Sequence, residues 1–274
     1  MEYCFLNGEI IPLKEASLEL NDIGVLRGYG VFEFLRAYNG KPFLFEEHMK
    51  RFENSARSLF IEPPFPKEEI KDVIKRLIEK NGKKDVNIRI VLTGGKAING
   101  IEFDPTNPTL FILLEEVIPI PRSSLEKGVK LISLEYKRNI PSAKTTEYLV
   151  PIKERDRMKK EGATEVLYIA DGKVLECSTS NFFLVNEKKV ITPAKDILMG
   201  TTRGFVLDIA REFFDVEERD VKVEELGSAQ EAFITATNKE VLPVTLVDDK
   251  TIGDGNVGPV ASLLVNEFKK RVHC

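Results

Sequence analysis

The stretch Ile118-Pro119-Ile120-Pro121-Arg122-Ser123-Ser124 decides how the chain is divided. Two prolines in three residues fix φ and remove ladder donors, so residues 119–123 read as a linker. Outward toward the N-terminus, Thr109–Glu115 reads as a buried strand. In Val86–Thr93 the even-numbered Val86, Ile88, Ile90 and Leu92 share one face, which sends Arg89 to the other. Two helical stripes precede it: Met49, Phe52, Ala56, Leu59 and Phe60 in residues 46–60, and Ile70, Val73, Ile74, Leu77 and Ile78 in residues 67–80. The second closes at Asn81-Gly82, a pair suited to a left-handed cap. Outward toward the C-terminus come a strand near 129–134 and a helix over roughly 146–161. The hairpin of 166–170 and 173–176 follows, turned by Asp171-Gly172. Strands near 182–185, 189–192 and 232–236 and helices near 203–214 and 258–271 complete the pattern. The expected fold is α/β (α+β) in two mixed lobes, a small N-terminal one of residues 1–118 and a larger C-terminal one of 124–274.

Composition excludes several classes. Of 274 residues, 42% are hydrophobic and 31% charged, enough apolar side chain to offset the entropy of ordering. Leu110–Leu114, among the longest apolar runs, is strand-sized, so no membrane span is expected, and a net charge of −4 gives no electrostatic reason for nucleic acid. His48 and His273 are the only histidines, too few for a three-histidine zinc site, and Cys4, Cys177 and Cys274 form no CxxC pair; no metal site is expected. Scattered thiols fit a reducing compartment, and residues 1–8 carry no basic, apolar leader, so the expectation is a cytoplasmic protein.

Four segments of the second lobe have the residue types that chemistry needs. In Asn139–Tyr148, Lys144 sits among small uncharged residues, where an amine is available for imine formation; an ordinary loop lysine is the alternative. Glu176 ends an apolar strand ahead of Cys177-Ser178-Thr179-Ser180-Asn181. It could hold a proton on a heterocyclic nitrogen, or it could point into water. Leu198-Met199-Gly200-Thr201-Thr202-Arg203 opens a helix whose first N–H groups would seat a phosphate, although N-capping by Thr201 or Thr202 predicts the same letters. Thr235-Ala236-Thr237-Asn238-Lys239 delivers two hydroxyls to a turn, and Arg51 adds a cation on the first helix.

In this order and spacing the segments resemble fold-type IV pyridoxal-phosphate enzymes, the class IV aminotransferases. These comprise branched-chain aminotransferases, D-amino acid aminotransferases and aminodeoxychorismate lyases. Arg27–Arg36, Glu47–Phe52, the Lys144 segment, Glu176–Asn181, Leu198–Arg203 and Thr235–Val244 carry the resemblance. It implies that Lys144 is the Schiff-base lysine and catalytic base, that Glu176 pairs with the pyridine nitrogen of pyridoxal 5'-phosphate, and that Arg51 binds its phosphate. By the same resemblance Gly200, Thr201, Thr202 and Thr237 complete the phosphate cup, Leu198 packs on the ring, and Tyr148 and Arg138 also reach the cofactor. It implies as well amino acid and 2-oxo acid substrates and a homodimer with active sites near the interface. His48 reads as a packing or capping residue.

Substrate choice rests on finer features. Glu147-Tyr148 stands where branched-chain enzymes carry an Asn-Tyr pair one residue further on, and the interval of 32 from Lys144 to Glu176 resembles the D-amino acid and lyase branches. Phe32-Glu33-Phe34-Leu35-Arg36 resembles the branched-chain pattern instead, which draws Phe32 and Arg36 into the substrate set. The Arg-x-His trap of well-known D-amino acid enzymes has no match in Gly94–Asn99, so Arg89, Lys239 and a partner subunit's Arg27 are the candidates for the α-carboxylate. That surplus of cations resembles a D-amino acid subgroup. The expectation is D-amino acid transamination with 2-oxoglutarate as acceptor, the alternatives being branched-chain L-amino acids and aminodeoxychorismate lysis.

Overall fold

Alternation along Gly30–Tyr38 and Val86–Thr93 sets the first half of the molecule. The computed structural model describes residues 1–272; His273 and Cys274 lie outside the described residues. Elements β1 (Tyr3–Leu6), β2 (Glu9–Pro12), α1 (Ile23–Arg27), β3 (Gly30–Tyr38), β4 (Lys41–Pro42), α2 (Phe45–Ser58), α3 (Lys67–Asn81), β5 (Val86–Thr93) and β6 (Thr109–Glu116) build one unit. Its strands pair in the order β2-β1-β6-β5-β3-β4, all antiparallel. One face, with Val31, Leu35, Ile88, Ile90 and Leu92, is sealed by Met49, Phe52 and Ala56 of α2 and Ile70, Ile74 and Leu77 of α3. Burying such aliphatic and aromatic side chains contributes about 1.5–3 kcal/mol each. Gly82 caps α3 at φ 65°, the left-handed turn the sequence signals. The stripe assigned to α2 runs too far: the helix stops at Ser58, and Phe60 takes φ 54° and is exposed.

The second unit contains α4 (Arg122–Lys127), β7 (Val129–Glu135), α5 (Leu149–Glu161), β8 (Glu165–Ala170), β9 (Lys173–Cys177), β10 (Asn181–Asn186), β11 (Lys189–Thr192), α6 (Thr201–Arg211), β12 (Asp215–Glu218), β13 (Val221–Lys222), β14 (Glu231–Ala236), β15 (Glu240–Val247), β16 (Lys250–Thr251) and α7 (Pro259–Val272). The strand order is β12-β11-β10-β14-β15-β7-β8-β9-β13. Pairing of Asn181 with Glu176 joins β10 back to β9, so that β10, β14, β15, β7, β8 and β9 form a closed ring of neighbours. Phe182, Leu184, Ile234, Leu242, Leu131 and Leu167 fill one core of this unit. Asp171 and Gly172 turn β8 into β9 with φ of 52° and 72°, as an Asp-Gly hairpin requires.

Two boundaries differ from the sequence expectation. Arg122 already lies in α4, so the proline-stiffened stretch ends at Pro121 and not at residue 123. Residues 143–148, expected in the C-terminal lobe with a helix starting at 146, cluster with the first unit, and α5 begins only at Leu149. The free edge of β3 explains this: Phe32 N–H donates to the Lys144 carbonyl and Thr146 N–H to the Gly30 carbonyl, both at 2.9 Å. A strand edge thus satisfies the backbone groups that a helix would otherwise pair. Among the described residues no helix is long and apolar enough to cross a membrane, and no cluster of His, Cys, Asp and Glu could hold a metal.

Candidate active site

In the first unit, strand alternation puts Glu33 between Val31 and Leu35 on the core face, where it is fully buried. Helix α2 meets it with a polar stripe, His48, Arg51 and Ser55, at helical spacing. Arg51 grips the carboxylate as a fork, Nε donating to Oε2 at 2.9 Å and Nη2 to Oε1 at 2.6 Å. Phe34 N–H donates to Oε1 at 2.7 Å and the His48 Nδ1–H at 3.0 Å. Burial alone would raise the Glu33 carboxyl, but the Arg51 and His48 side chains outweigh it and hold the group far below the usual carboxylate range. Burial pushes His48 down, against the pull of Glu33, so the ring is neutral and donates from Nδ1. This fork commits Nε and one edge of the guanidinium and leaves Nη1 to meet an anion.

Ser55, completely buried, donates from Oγ to the Arg51 carbonyl at 2.8 Å and accepts the Lys144 backbone N–H at 3.0 Å. The Lys144 ammonium lies over the Phe32 ring, 4.5 Å from its centroid, and Tyr148 meets that ring edge-on at 5.5 Å. Arg89 stands over the same ring at 5.5 Å and over Phe34 at 4.8 Å.

In the second unit, closure of the strand ring places Glu176 beside Asn181. Arg138 donates to Glu176 Oε1 from Nε at 2.9 Å and Nη2 at 2.7 Å, and Leu198 N–H donates to Oε2 at 3.0 Å. Asn181 Nδ2 donates to the Leu198 carbonyl at 2.7 Å. A Cβ on Gly200 would come within 2.1 Å of Asn181 Oδ1, so only glycine permits this close approach ahead of α6. Gly200 is the cap residue of α6 and makes no side-chain cap bond, and Thr201 and the buried Thr202 open the first turn of the helix. Thr237 lies in the turn between β14 and β15.

The substrate cations nominated from sequence fare differently. Arg89 is not a lone cation: Glu115 binds it through both Nε and Nη2, the latter at 3.2 Å, as a half-exposed ion pair. Lys239 is likewise engaged, donating to Thr179 Oγ1 at 2.8 Å and lying 3.4 Å from the buried Glu165. Glu165 also accepts from the hydroxyls of Ser178, Thr179 and Ser180 and from Thr179 N–H. Lys239 and these donors outweigh its burial and keep it ionised. Arg27 is exposed at the end of α1, and Arg36 spreads over the Tyr38 ring at 4.4 Å. Sequence reading missed Glu33, Ser55 and Glu165. The first was detectable as a lone carboxylate in the apolar face of Val31–Ala37, and Ser55 as the continuation of the His48-Arg51 stripe; nothing local marks Glu165.

The donor set suits the cofactor that the resemblance implies. A dianionic phosphate calls for N–H groups at a helix start or a cationic fork, the group types that Gly200–Thr202 carry in the second unit and Arg51 in the first, each taken by itself. A protonated pyridine nitrogen needs a buried anion, and Glu176 is 5% exposed. An aldehyde calls for an amine, the group that the Lys144 side chain carries.

Comparison with known proteins agrees. Residues 30–247 match the family model of the class IV amino-transferases. A Methanocaldococcus jannaschii protein, assigned provisionally as a branched-chain-amino-acid aminotransferase, is 34% identical over 277 residues, covering 97% of this chain and 94% of that one. The D-alanine aminotransferase of Bacillus licheniformis is 31% identical over 258 residues, 93% of this chain and 91% of its own. The structure of the T.th. branched-chain amino acid aminotransferase complexed with N-(5'-phosphopyridoxyl)-L-glutamate superposes with a TM-score of 0.91. It is 30% identical and covers 98% of this chain and 93% of that one. With a family match spanning most of the chain and relatives aligned nearly end to end, the chain belongs to the class IV aminotransferases.

Proposed function

We propose that this enzyme, whose cofactor is pyridoxal 5'-phosphate, transfers the amino group of D-amino acids to 2-oxoglutarate. When bound, the cofactor supplies an electron-withdrawing ring that takes up the electron pair left at the amino acid Cα. The chain's residues divide the remaining work. Lys144 Nζ would take the proton from the substrate Cα and deliver it to the cofactor carbon that had borne the aldehyde, the 1,3-shift that transamination requires. Glu176, oriented by Arg138 and the Leu198 N–H, keeps the ring nitrogen protonated. Arg51, held by Glu33, joins the first turn of α6 (Gly200, Thr201, Thr202) and Thr237 in gripping the phosphate, while Leu198 and Tyr148 bear on the ring.

The observation that carries the substrate reading is Phe32. Its ring is shared by the Lys144 ammonium and the Arg89 guanidinium, which sets a carboxylate-binding cation beside the reacting amine. A substrate carboxylate there competes with Glu115 for Arg89, with Arg36 and a partner subunit's Arg27 as further cations. Lys239, countered by Glu165, contributes less than its charge indicates. Cations in place of an Arg-x-His trap support the D-amino acid reading, as does the B. licheniformis relative. One observation favours branched-chain L-amino acids: Phe32 and Phe34 make that face of β3 apolar. Paired D- and L-amino acids assayed with 2-oxoglutarate separate the two. Turnover of D-alanine or D-glutamate is expected, and reaction of only L-leucine, L-isoleucine and L-valine would overturn the proposal.

A further inference from the structure

We infer that Ser55 is a positioning residue that sets the register between the phosphate-binding arginine and the reactive lysine. The inference rests on the roles given above to Arg51 and Lys144 and is independent of substrate stereochemistry. Ser55 lies one turn beyond Arg51 on α2, and its Oγ–H closes back onto the Arg51 carbonyl at 2.8 Å. A helical serine often makes such a bond, and Ser58 makes the same one to Asn54 at 2.9 Å. Ser55 differs in what its oxygen does next, accepting the backbone N–H of Lys144, 89 residues away, at 3.0 Å.

The other side of the Lys144 peptide is equally held. Its carbonyl accepts Phe32 N–H from β3 at 2.9 Å, while Thr145 bridges Val31. The lysine backbone is therefore fixed between a helix and a strand edge, with one small hydroxyl accepting its N–H on the helix side. The same helix carries Arg51, locked at its other end by the buried Glu33. Movement of residues 143–146 along β3 would thus require loss of the Ser55 bond. An amine and a phosphate ligand that must engage two ends of one small molecule tolerate little error in their separation.

Removing the hydroxyl leaves the Lys144 N–H without this acceptor in the bound state, where the lysine must stay in place. Without the cofactor the lysine need not hold one position, so loss of this acceptor is expected to cost less there. Only the bound form suffers the full penalty, so the variant is expected to bind the cofactor more weakly and not merely to be less stable.

Apoprotein of the wild type, Ser55→Ala and Ser58→Ala is dialysed to equilibrium against pyridoxal 5'-phosphate. The lysine-bound fraction is then fixed by borohydride and located by peptide mass. Ser55→Ala is expected to raise the dissociation constant roughly tenfold and to shift the pH midpoint of the bound cofactor's visible absorption. Ser58→Ala, with the same helical back-bond, is expected to match the wild type. Equal behaviour of the two variants, whether both unchanged or both weakened, overturns the inference. A wild-type label on a lysine other than 144 overturns it too, by removing the assignment beneath it, while label on Lys144 separates that failure from a failure of the serine's role. Should Ser55→Ala not fold, Ser55→Cys takes its place, since a thiol is a weaker acceptor of similar size, and a smaller loss in the same direction is expected.

Discussion

Among the described residues, Arg51 holds the buried Glu33 and Arg138 the buried Glu176, and under the proposed function the two pairs do opposite jobs. In the first unit Glu33 is fully buried and Arg51 is 12% exposed, so the carboxylate is the anchor and the arginine the working group. In the second, Arg138 steadies Glu176, and the carboxylate is the working group. The same contact chemistry thus serves to aim a cation in one place and an anion in the other. The supporting partners differ accordingly. Glu33 depends on two side chains of one helix and a single backbone N–H. Glu176 is also held by the Leu198 N–H and by strand pairing with Asn181. Each carboxylate has one backbone donor, and the first adds the His48 ring to its arginine, so the asymmetry lies in the task proposed for each pair.

That asymmetry is open to direct attack. The largest effect is expected from Glu33→Gln, which leaves Arg51 without a counter-charge against a buried amide. Breaking one side of a buried pair costs about 3–5 kcal/mol, to be read from denaturant unfolding. Arg138→Gln is expected to cost about 1–3 kcal/mol in the same assay, because Glu176 keeps its backbone donor, while turnover falls more than stability does. Equal stability losses would erase the contrast.

Acid titration gives the next effect. The folded-state pKa of Glu33 is depressed, so its stabilisation is present above the unfolded value, about 4.3, and is lost as pH falls toward the depressed one. His48 is also depressed, by burial, so its neutral form begins to cost stability below about pH 6.5. Stability of the wild type should therefore decline in two stages on acidification, and His48→Gln should remove the first. A single decline beginning near pH 4 in the wild type would contradict this account. The smallest effect is expected at the rim: Glu115→Gln should change stability by less than about 1 kcal/mol, since the pair is half-exposed. With Arg89 released, the KM of the amino donor should fall while kcat holds, and an unchanged KM would remove Arg89 from the carboxylate site.

Much of the architecture is legible in the sequence, because period and punctuation are local. The Val86–Leu92 alternation, the Asp171-Gly172 turn and the Gly82 cap each report their conformation through a few neighbouring residues. What escapes is set at a distance. No propensity in Ala143–Tyr148 reveals that β3 will take its backbone bonds, so sequence reasoning starts the helix three residues early and puts the segment in the wrong unit. Phe60 fits a stripe whose helix has already ended. The candidate cofactor ligands come into view through motif order and family likeness. Their supports, Glu33, Ser55 and Glu165, require knowing which side chains meet across 15 to 89 residues. Charge pairing is equally hidden: nothing near Arg89 or Lys239 in sequence announces Glu115 or Glu165.

The return of residues 143–148 to the first unit bears on how the gene could be cut. A polypeptide ending at Ile118 would contain every strand of the six-stranded sheet yet lack the edge peptide that β3 binds, and with it Lys144, the amine of the proposed function. Fragment complementation or domain grafting with a breakpoint at the proline stretch would hand the lysine to the wrong piece. A breakpoint directly after Tyr148 would instead keep that peptide with its sheet, while stripping α4 and β7 from the second unit. No single cut serves both halves, so inheritance of Lys144 is a matter of topology and not of distance along the message.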